Sequence, residues 1–210
     1  MGRSKRYTIA FTGASGMPYG VRVLECVLNA GHSVYLLYSQ AAQLVAKQEL
    51  HVAFPTRGRD MEHYFCEKTG CKPGQITVFG HDEWFAPVAS GSNPAAAMLV
   101  CPCSMGTLAA IAAGLSDNLI ERAADVMLKE KRPLILVPRD TPFSAIHLEN
   151  MLRLARAGAT ILPANPGFYH RPESVQDVVD FVVARILDHL GVEHTLIARW
   201  GEKPARRRKT

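Results

Sequence analysis

The sequence lacks any apolar run close to the ~20 residues that a bilayer-spanning helix requires. Its N-terminus, "MGRSKRYTIA", has basic residues but no long apolar core and no small-residue cleavage site. No membrane segment and no secretory leader are therefore expected. Cysteine is sparse and odd in number: Cys26, Cys66, Cys71, Cys101 and Cys103. Scattered in this way, they read as reduced thiols of a cytoplasmic protein rather than a disulfide framework. Cys66 and Cys71 have no matching second pair, and Cys101 and Cys103 have no histidine cluster beside them, so no metal site is expected. Aromatic residues are missing from the basic tail "KPARRRKT", which carries part of the net charge of +5. Without stacking side chains the tail, residues 201–210, reads as a disordered, solvated terminus, and no nucleic-acid partner is expected. A full G-x-G-x-x-G fingerprint is also missing. The loop "TGASG" offers only Gly13 and Gly16, and the second strand ends in "YSQ", with Ser39 where a ribose-binding acid would stand. That disfavours a nicotinamide dinucleotide site and favours a mononucleotide or a monophosphate.

Of the 210 residues, 48% are hydrophobic and 20% charged, enough for one domain with a substantial core. Strand-like runs alternate with helical periodicity. The strands are "YTIAFT" (7–12), "SVYLLYS" (33–39), "ITVFG" (76–80), "AMLVCP" (97–102), "PLILVP" (133–138) and "ATILP" (159–163). Helices are expected from Pro18 to Ala30, over "QAAQLVAKQE" and over "GTLAAIAAG". Further stripes at helical spacing run through Ile120, Ala123, Ala124, Met127 and Leu128, through Leu148, Met151, Leu152 and Ala155, and through Val175 to Ile186. The last stripe follows a capping-box-like Ser174 and Asp177. Strands alternating with helices predict a mostly parallel sheet covered on both faces, a Rossmann-like three-layer α/β/α sandwich in a single domain, residues 1–200. Residues 52–75 are the least regular stretch and read as an excursion containing a helix.

Ligands of such sheets bind beyond the carboxyl ends of the strands. That rule selects "TGASG", "YSQ", "CPCSMGT", "VPRDTP" and "PANPGFY". Ser104, Gly106 and Thr107 lie where a strand hands over to a helix, which is either an anion cradle or plain N-capping by Ser104. Arg139 directly follows a strand, so its cation belongs at the expected cleft. Arg122 and Lys129 are seven residues apart on one helix face, and Arg185 flanks a buried stripe; surface ion pairing is the ordinary alternative for each. Glu49 and Asp140 are candidate proton-transfer groups, His147 a weaker one, and Tyr169, Trp84 and Trp200 are candidate π surfaces.

The segments "TGASGMPYG", "AAQLV", "ASGS", "CPCSMGTLAAIAAG", the long block 117–172 and "DFVVARILDHLG" together resemble the UbiX-type flavin prenyltransferases. The resemblance extends from about residue 7 to Trp200. These are relatives of the phosphopantothenoylcysteine decarboxylases. It implies transfer of the dimethylallyl group of dimethylallyl phosphate to N5 and C6 of reduced FMN, without a metal. It further implies delivery of prenylated FMN to a UbiD-type decarboxylase, in ubiquinone biosynthesis or aromatic-acid metabolism, and a cytoplasmic dodecamer with sites at subunit interfaces. By the same resemblance Gly13, Ala14, Ser15, Ser39, Ser104, Met105, Gly106, Thr107 and Arg139 would hold FMN. Ser90, Gly91, Arg122, Lys129, Asp140, Tyr169 and Arg185 would surround the dimethylallyl phosphate. Ser15 and Glu49 would assist proton movement, and Trp200 would line the prenyl pocket. One residue departs from the family pattern: "VPRD" places Asp140 where glutamate is usual. A flavin-dependent cysteine decarboxylase is disfavoured because its "PxMNxxMW" clamp is missing. A non-catalytic FMN carrier is disfavoured because one flavin phosphate would not need so many cations.

Overall fold

The structure, a computed structural model, describes residues 4–198. Six strands form one sheet in the order β3-β2-β1-β4-β5-β6, and every neighbouring pair is parallel. They are β1 (Arg6–Phe11), β2 (Ser33–Tyr38), β3 (Ile76–Phe79), β4 (Met98–Cys103), β5 (Leu134–Pro138) and β6 (Thr160–Ile161). The helices are α1 (Met17–Asn29), α2 (Gln40–Leu50), α3 (Gly58–Thr69), α4 (Met105–Ala113), α5 (Leu119–Lys129), α6 (Ala145–Arg156) and α7 (Val175–Leu190). This is the expected sandwich.

The strands alternate sides as a pleated backbone must. Ile9, Phe11, Leu36, Leu99, Cys101, Ile135 and Val137 join one core with α1, α2, α3 and α7. Ala10, Tyr35, Leu37, Met98, Val100, Leu134 and Leu136 join the other with α4, α5 and α6. Both faces are dry, which is why the central strands read as unbroken apolar runs. The irregular stretch does contain a helix, α3. It docks through Met61 and Phe65, and Phe65 meets Phe54 edge-on at 5.4 Å. Glu62 accepts the amide of Val78 at 2.8 Å, pairing a group on the edge strand β3. The expected capping box at Ser174 is formed, and a second one, at Ser144, starts α6.

Two expectations change. The strand expected over 159–163 shortens to two residues, because Pro163 and Pro166 cannot donate to a ladder. Only Leu162 N–H to Leu136 O (2.9 Å) and Ala164 N–H to Pro138 O (3.4 Å) extend the pairing. The cysteines are also not all free: Cys66 and Cys71 form a disulfide, with Cα atoms 4.6 Å apart. Helix α3 ends at Gly70, which takes a left-handed φ of 71° and donates to Cys66 O at 2.8 Å. That reversal returns residue 71 over the last helical turn. Cys26, Cys101 and Cys103 remain free thiols, and burial pushes Cys103 up to about 12 and Cys26 to about 11. Among the described residues no helix is long and apolar enough to cross a membrane. Trp200 and the basic tail lie outside the described residues.

Candidate functional site

The chain order reverses between β1 and β4, so the crevice at the carboxyl ends of these two strands is the switch point. Thr12, fully buried, stitches it. Its hydroxyl donates to Pro102 O at 2.8 Å and accepts from Ser104 N at 2.8 Å. On one side Ser39 N–H donates to Phe11 O (3.0 Å); on the other Arg139 N–H donates to Cys103 O (3.4 Å). The loops carrying "TGASG", Ser39, "CSMGT" and Arg139 are thereby fixed side by side. Thr12 was not among the candidates, although its position, a hydroxyl closing the first strand, is the signal that marks it.

Ser104 caps α4. Its Oγ accepts from Thr107 N (3.2 Å) and lies 3.0 Å from Thr107 Oγ1. Plain N-capping is therefore present, and it coexists with a cradle. Met105 and Gly106 are the first two residues of the helix, whose amides the helix leaves unpaired. A side chain at Gly106 would enter open space. Ser39 likewise caps α2, accepting from Ala42 N at 3.2 Å. An anion here would meet helix amides and hydroxyls.

The N-terminus of α1 is different. Glu49, from α2, accepts from Gly16 N (3.1 and 3.0 Å) and from Met17 N (2.8 Å). The first turn of α1 thus holds a carboxylate of the chain itself, one residue beyond the exposed Ser15. Gly13 and Gly20 serve close approach. A Cβ at Gly13 would overlap the Ala41 methyl, and one at Gly20 would overlap Cys101 O. Gly16 adopts a left-handed φ of 113°, which favours glycine. Tyr19, another residue missed in sequence, sits half-buried beside this turn. Burial raises its phenol pKa; Cys101 and Glu49 act in the same direction, whereas Arg139 opposes them.

The expected substrate cations are not gathered in one chain. Arg139 and Asp140 stand exposed at the carboxyl end of β5, where Asp140 Oδ1 accepts from Thr141 N at 2.9 Å. Arg122 and Lys129 lie on α5, seven residues or roughly 10 Å apart along the axis. Arg122 donates to Ala89 O (2.9 Å) and pairs with Asp125 (2.7 Å). Lys129 is near the amino edge of the sheet, five residues before β5 begins, and sits over Gly91. Ser90 and Ser92 hydroxyls meet there at 2.9 Å. Arg185 is on α7, across the sheet from α5, paired with Asp188 at 2.5 Å. Asp188 in turn meets His194 Nε2 at 3.2 Å. Tyr169, exposed, packs edge-on against Phe181 at 5.5 Å. His147 is committed to the α6 capping box, and Trp84 is partly exposed beside a fully exposed Phe85. No three His, Cys, Asp or Glu residues among those described stand together as metal ligands.

Comparison with known proteins finds relatives along nearly the whole chain. The Flavoprotein family model matches residues 1–187. The flavin prenyltransferase UbiX of Pseudomonas aeruginosa is 56% identical over 203 residues, covering 97% of both chains. The solved AnUbiX (PadA1), in complex with FMN and dimethylallyl pyrophosphate, superposes with a TM-score of 0.83 at 39% identity, covering 96% of this chain and all of that one. A dodecameric FMN-dependent UbiX-like decarboxylase from Escherichia coli O157:H7 superposes with a TM-score of 0.81 at 40% identity, covering 94% of this chain and all of that one.

Proposed function

We propose a function from one premise: this chain belongs to the Flavoprotein family and, within it, to the flavin prenyltransferases. It transfers a prenyl group to FMN. In the finer reading the donor is dimethylallyl phosphate, the new bonds are to N5 and C6, and the product serves a UbiD-type decarboxylase in ubiquinone or aromatic-acid metabolism. The observation that carries the reading is the crevice stitched by Thr12. It offers amides and hydroxyls for one phosphate, and it has Ser39 rather than an acid at the end of β2. Those features fit a mononucleotide such as FMN.

When bound, reduced FMN supplies the nucleophilic atoms of the reaction. The amides of Met105 and Gly106, the hydroxyls of Ser39, Ser104 and Thr107, and the loop Gly13–Ala14–Ser15 would hold it, with Arg139 at its edge. Glu49 holds the loop by capping α1, which places its carboxylate one residue from Ser15 for moving a proton. Cleaving an allylic phosphate leaves a dianion, and fixed cations stabilise it as charge develops. Arg122, Lys129, Arg139 and Arg185 supply that charge, with Ser90, Gly91, Asp140 and Tyr169 around them. Trp200 would line the prenyl side. In this reading positive charge on the prenyl carbons is shielded by aromatic faces, which stabilise a cation without trapping it.

Lys129, Arg139 and Arg185 lie at opposite edges and faces of one sheet. We therefore infer that neighbouring copies complete each site, in a homo-oligomer, a dodecamer by the example of the Escherichia coli relative. The exposed Ile146, Leu148 and Leu152 on α6 and the exposed Phe85 support burial between copies. We place the reaction in the cytoplasm, where a reduced flavin substrate is available. We place the domain limits at 1–200, with residues 201–210 as a separate tail; the family match covers residues 1–187.

The test is anaerobic incubation of the purified protein with reduced FMN and dimethylallyl phosphate, followed by mass spectrometry of the released flavin. A flavin one prenyl unit heavier is expected; unmodified flavin would refute prenyl transfer and leave an FMN carrier or a decarboxylase. The decarboxylase description of the Escherichia coli relative favours a second reading. It would require carbon dioxide release from a cysteine-type or other carboxylate substrate with the flavin left unmodified.

A further inference from the structure

Three of the four expected phosphate cations carry a carboxylate of their own: Asp125 on Arg122, Glu130 on Lys129 and Asp188 on Arg185. Two of these are pairs three residues apart, which any helix surface supports. The Lys129–Glu130 pair is not of that kind. Adjacent residues on a helix diverge by about 100° and do not face each other. Glu130 is moreover the C-cap of α5, where the helix dipole favours a cation and disfavours an acid. Against both local preferences, Lys129 Nζ donates to Glu130 Oε1 at 2.5 Å. The pair closes over the backbone of Gly91: a Cβ there would overlap Glu130 Oε1 and lie 2.8 Å from Lys129 Nζ. A conflict with local rules at a site surrounded by hydroxyls is the usual mark of function. The ammonium, and more weakly Arg132, holds the Glu130 carboxyl below its ordinary range, so it is ionised at neutral pH.

We propose that Glu130 is a specificity-determining residue: its carboxylate, fixed on the Lys129 ammonium above Gly91, limits the negative charge of the anion the site accepts. A monophosphate ester is then favoured over the corresponding pyrophosphate ester, because the extra charge of the second phosphoryl group is repelled at the same short range. This rests on the reading of Lys129 as a phosphate cation. It goes beyond that reading in assigning the discrimination to one neighbouring carboxylate. Glu130 touches the cation and not the reacting carbon, so it acts on affinity rather than on chemistry.

The experiment is calorimetric titration of the full chain with inorganic phosphate and with pyrophosphate, in metal-free buffer at low and high salt. Glu130→Gln keeps the acceptor and removes the charge. It should raise pyrophosphate affinity about fivefold more than phosphate affinity at low salt, and the gain should shrink at high salt. Glu130→Ala should do the same, and Lys129→Met should weaken both anions. Equal changes for the two anions, or none, would overturn the assignment, as would a Lys129→Met protein that binds both as the unaltered protein does. Unaltered protein that leaves FMN unprenylated would refute the functional reading, while the two anion titrations would still decide the role of Glu130.

Discussion

The carboxyl edge of the sheet and the surface around Lys129 are built on different principles. At the carboxyl edge one chain makes everything: Thr12, Ser39, Ser104 and the α4 helix start are locked by hydrogen bonds of 2.8 to 3.2 Å between neighbouring strands and within caps. Around Lys129, and again around Arg185, the cations are exposed, and each rests on a carboxylate of its own helix or C-cap. The first region is a finished cradle. The second is a set of parts that a second copy would have to bring together. In the proposed reading the contrast follows from what each ligand needs. A flavin phosphate would be met by amides that any helix start provides, whereas a departing dianion needs several full charges, and in one chain these stand on separate elements at different edges and faces of the sheet.

The sharpest way to break this comparison is to mix defects. Lys129→Met and Arg185→Met should each lower prenyl transfer by roughly a hundredfold with FMN binding unchanged, since lost transition-state contacts to charge commonly cost that much. Hybrid oligomers of the two variants should regain activity, because some interfaces would carry both intact residues. Hybrids as inactive as their parents would place both cations in a single-chain site. The cradle should respond in the opposite way, through stability. Gly20→Ala drives a methyl into Cys101 O and should cost about 2 kcal/mol or more, read as a lowered thermal midpoint. Thr12→Val strands the amide of Ser104 and should cost about 1–3 kcal/mol, together with weaker FMN binding in a fluorescence titration. No hybrid should rescue either one. The smallest effect is expected at Asp140, which is exposed and, among the described residues, is hydrogen-bonded to the next residue's amide in its own turn. Asp140→Glu restores the family's usual side chain and should change turnover by no more than a few-fold, whereas Asp140→Ala should raise the KM for the phosphate donor. An Asp140→Ala protein with unaltered kinetics would remove this residue from the site.

Much of this was legible in the sequence for identifiable reasons. The unbroken apolar runs of β1, β4 and β5 announce strands buried on both faces, and Ser174 with Asp177 announces the start of α7. Ser39 at the end of β2 argues against a dinucleotide without any coordinates. The Cys66–Cys71 bridge was not legible, because its geometry depends on the left-handed turn at Gly70 rather than on spacing. Glu49 was read as a proton-transfer candidate, but its bonds to Gly16 and Met17 exist only because α2 folds back along α1.

What the sequence determined by itself is the layered sheet and the kind of ligand its crevice suits, since periodicity and strand-end residues are local properties of the chain. What only the tertiary structure decided is which groups meet. Thr12 joins two strands 90 residues apart in sequence, Glu130 leans onto Lys129 over Gly91, and Arg185 stands across the sheet from both. Such meetings depend on distances through space, which the order of residues along the chain leaves open.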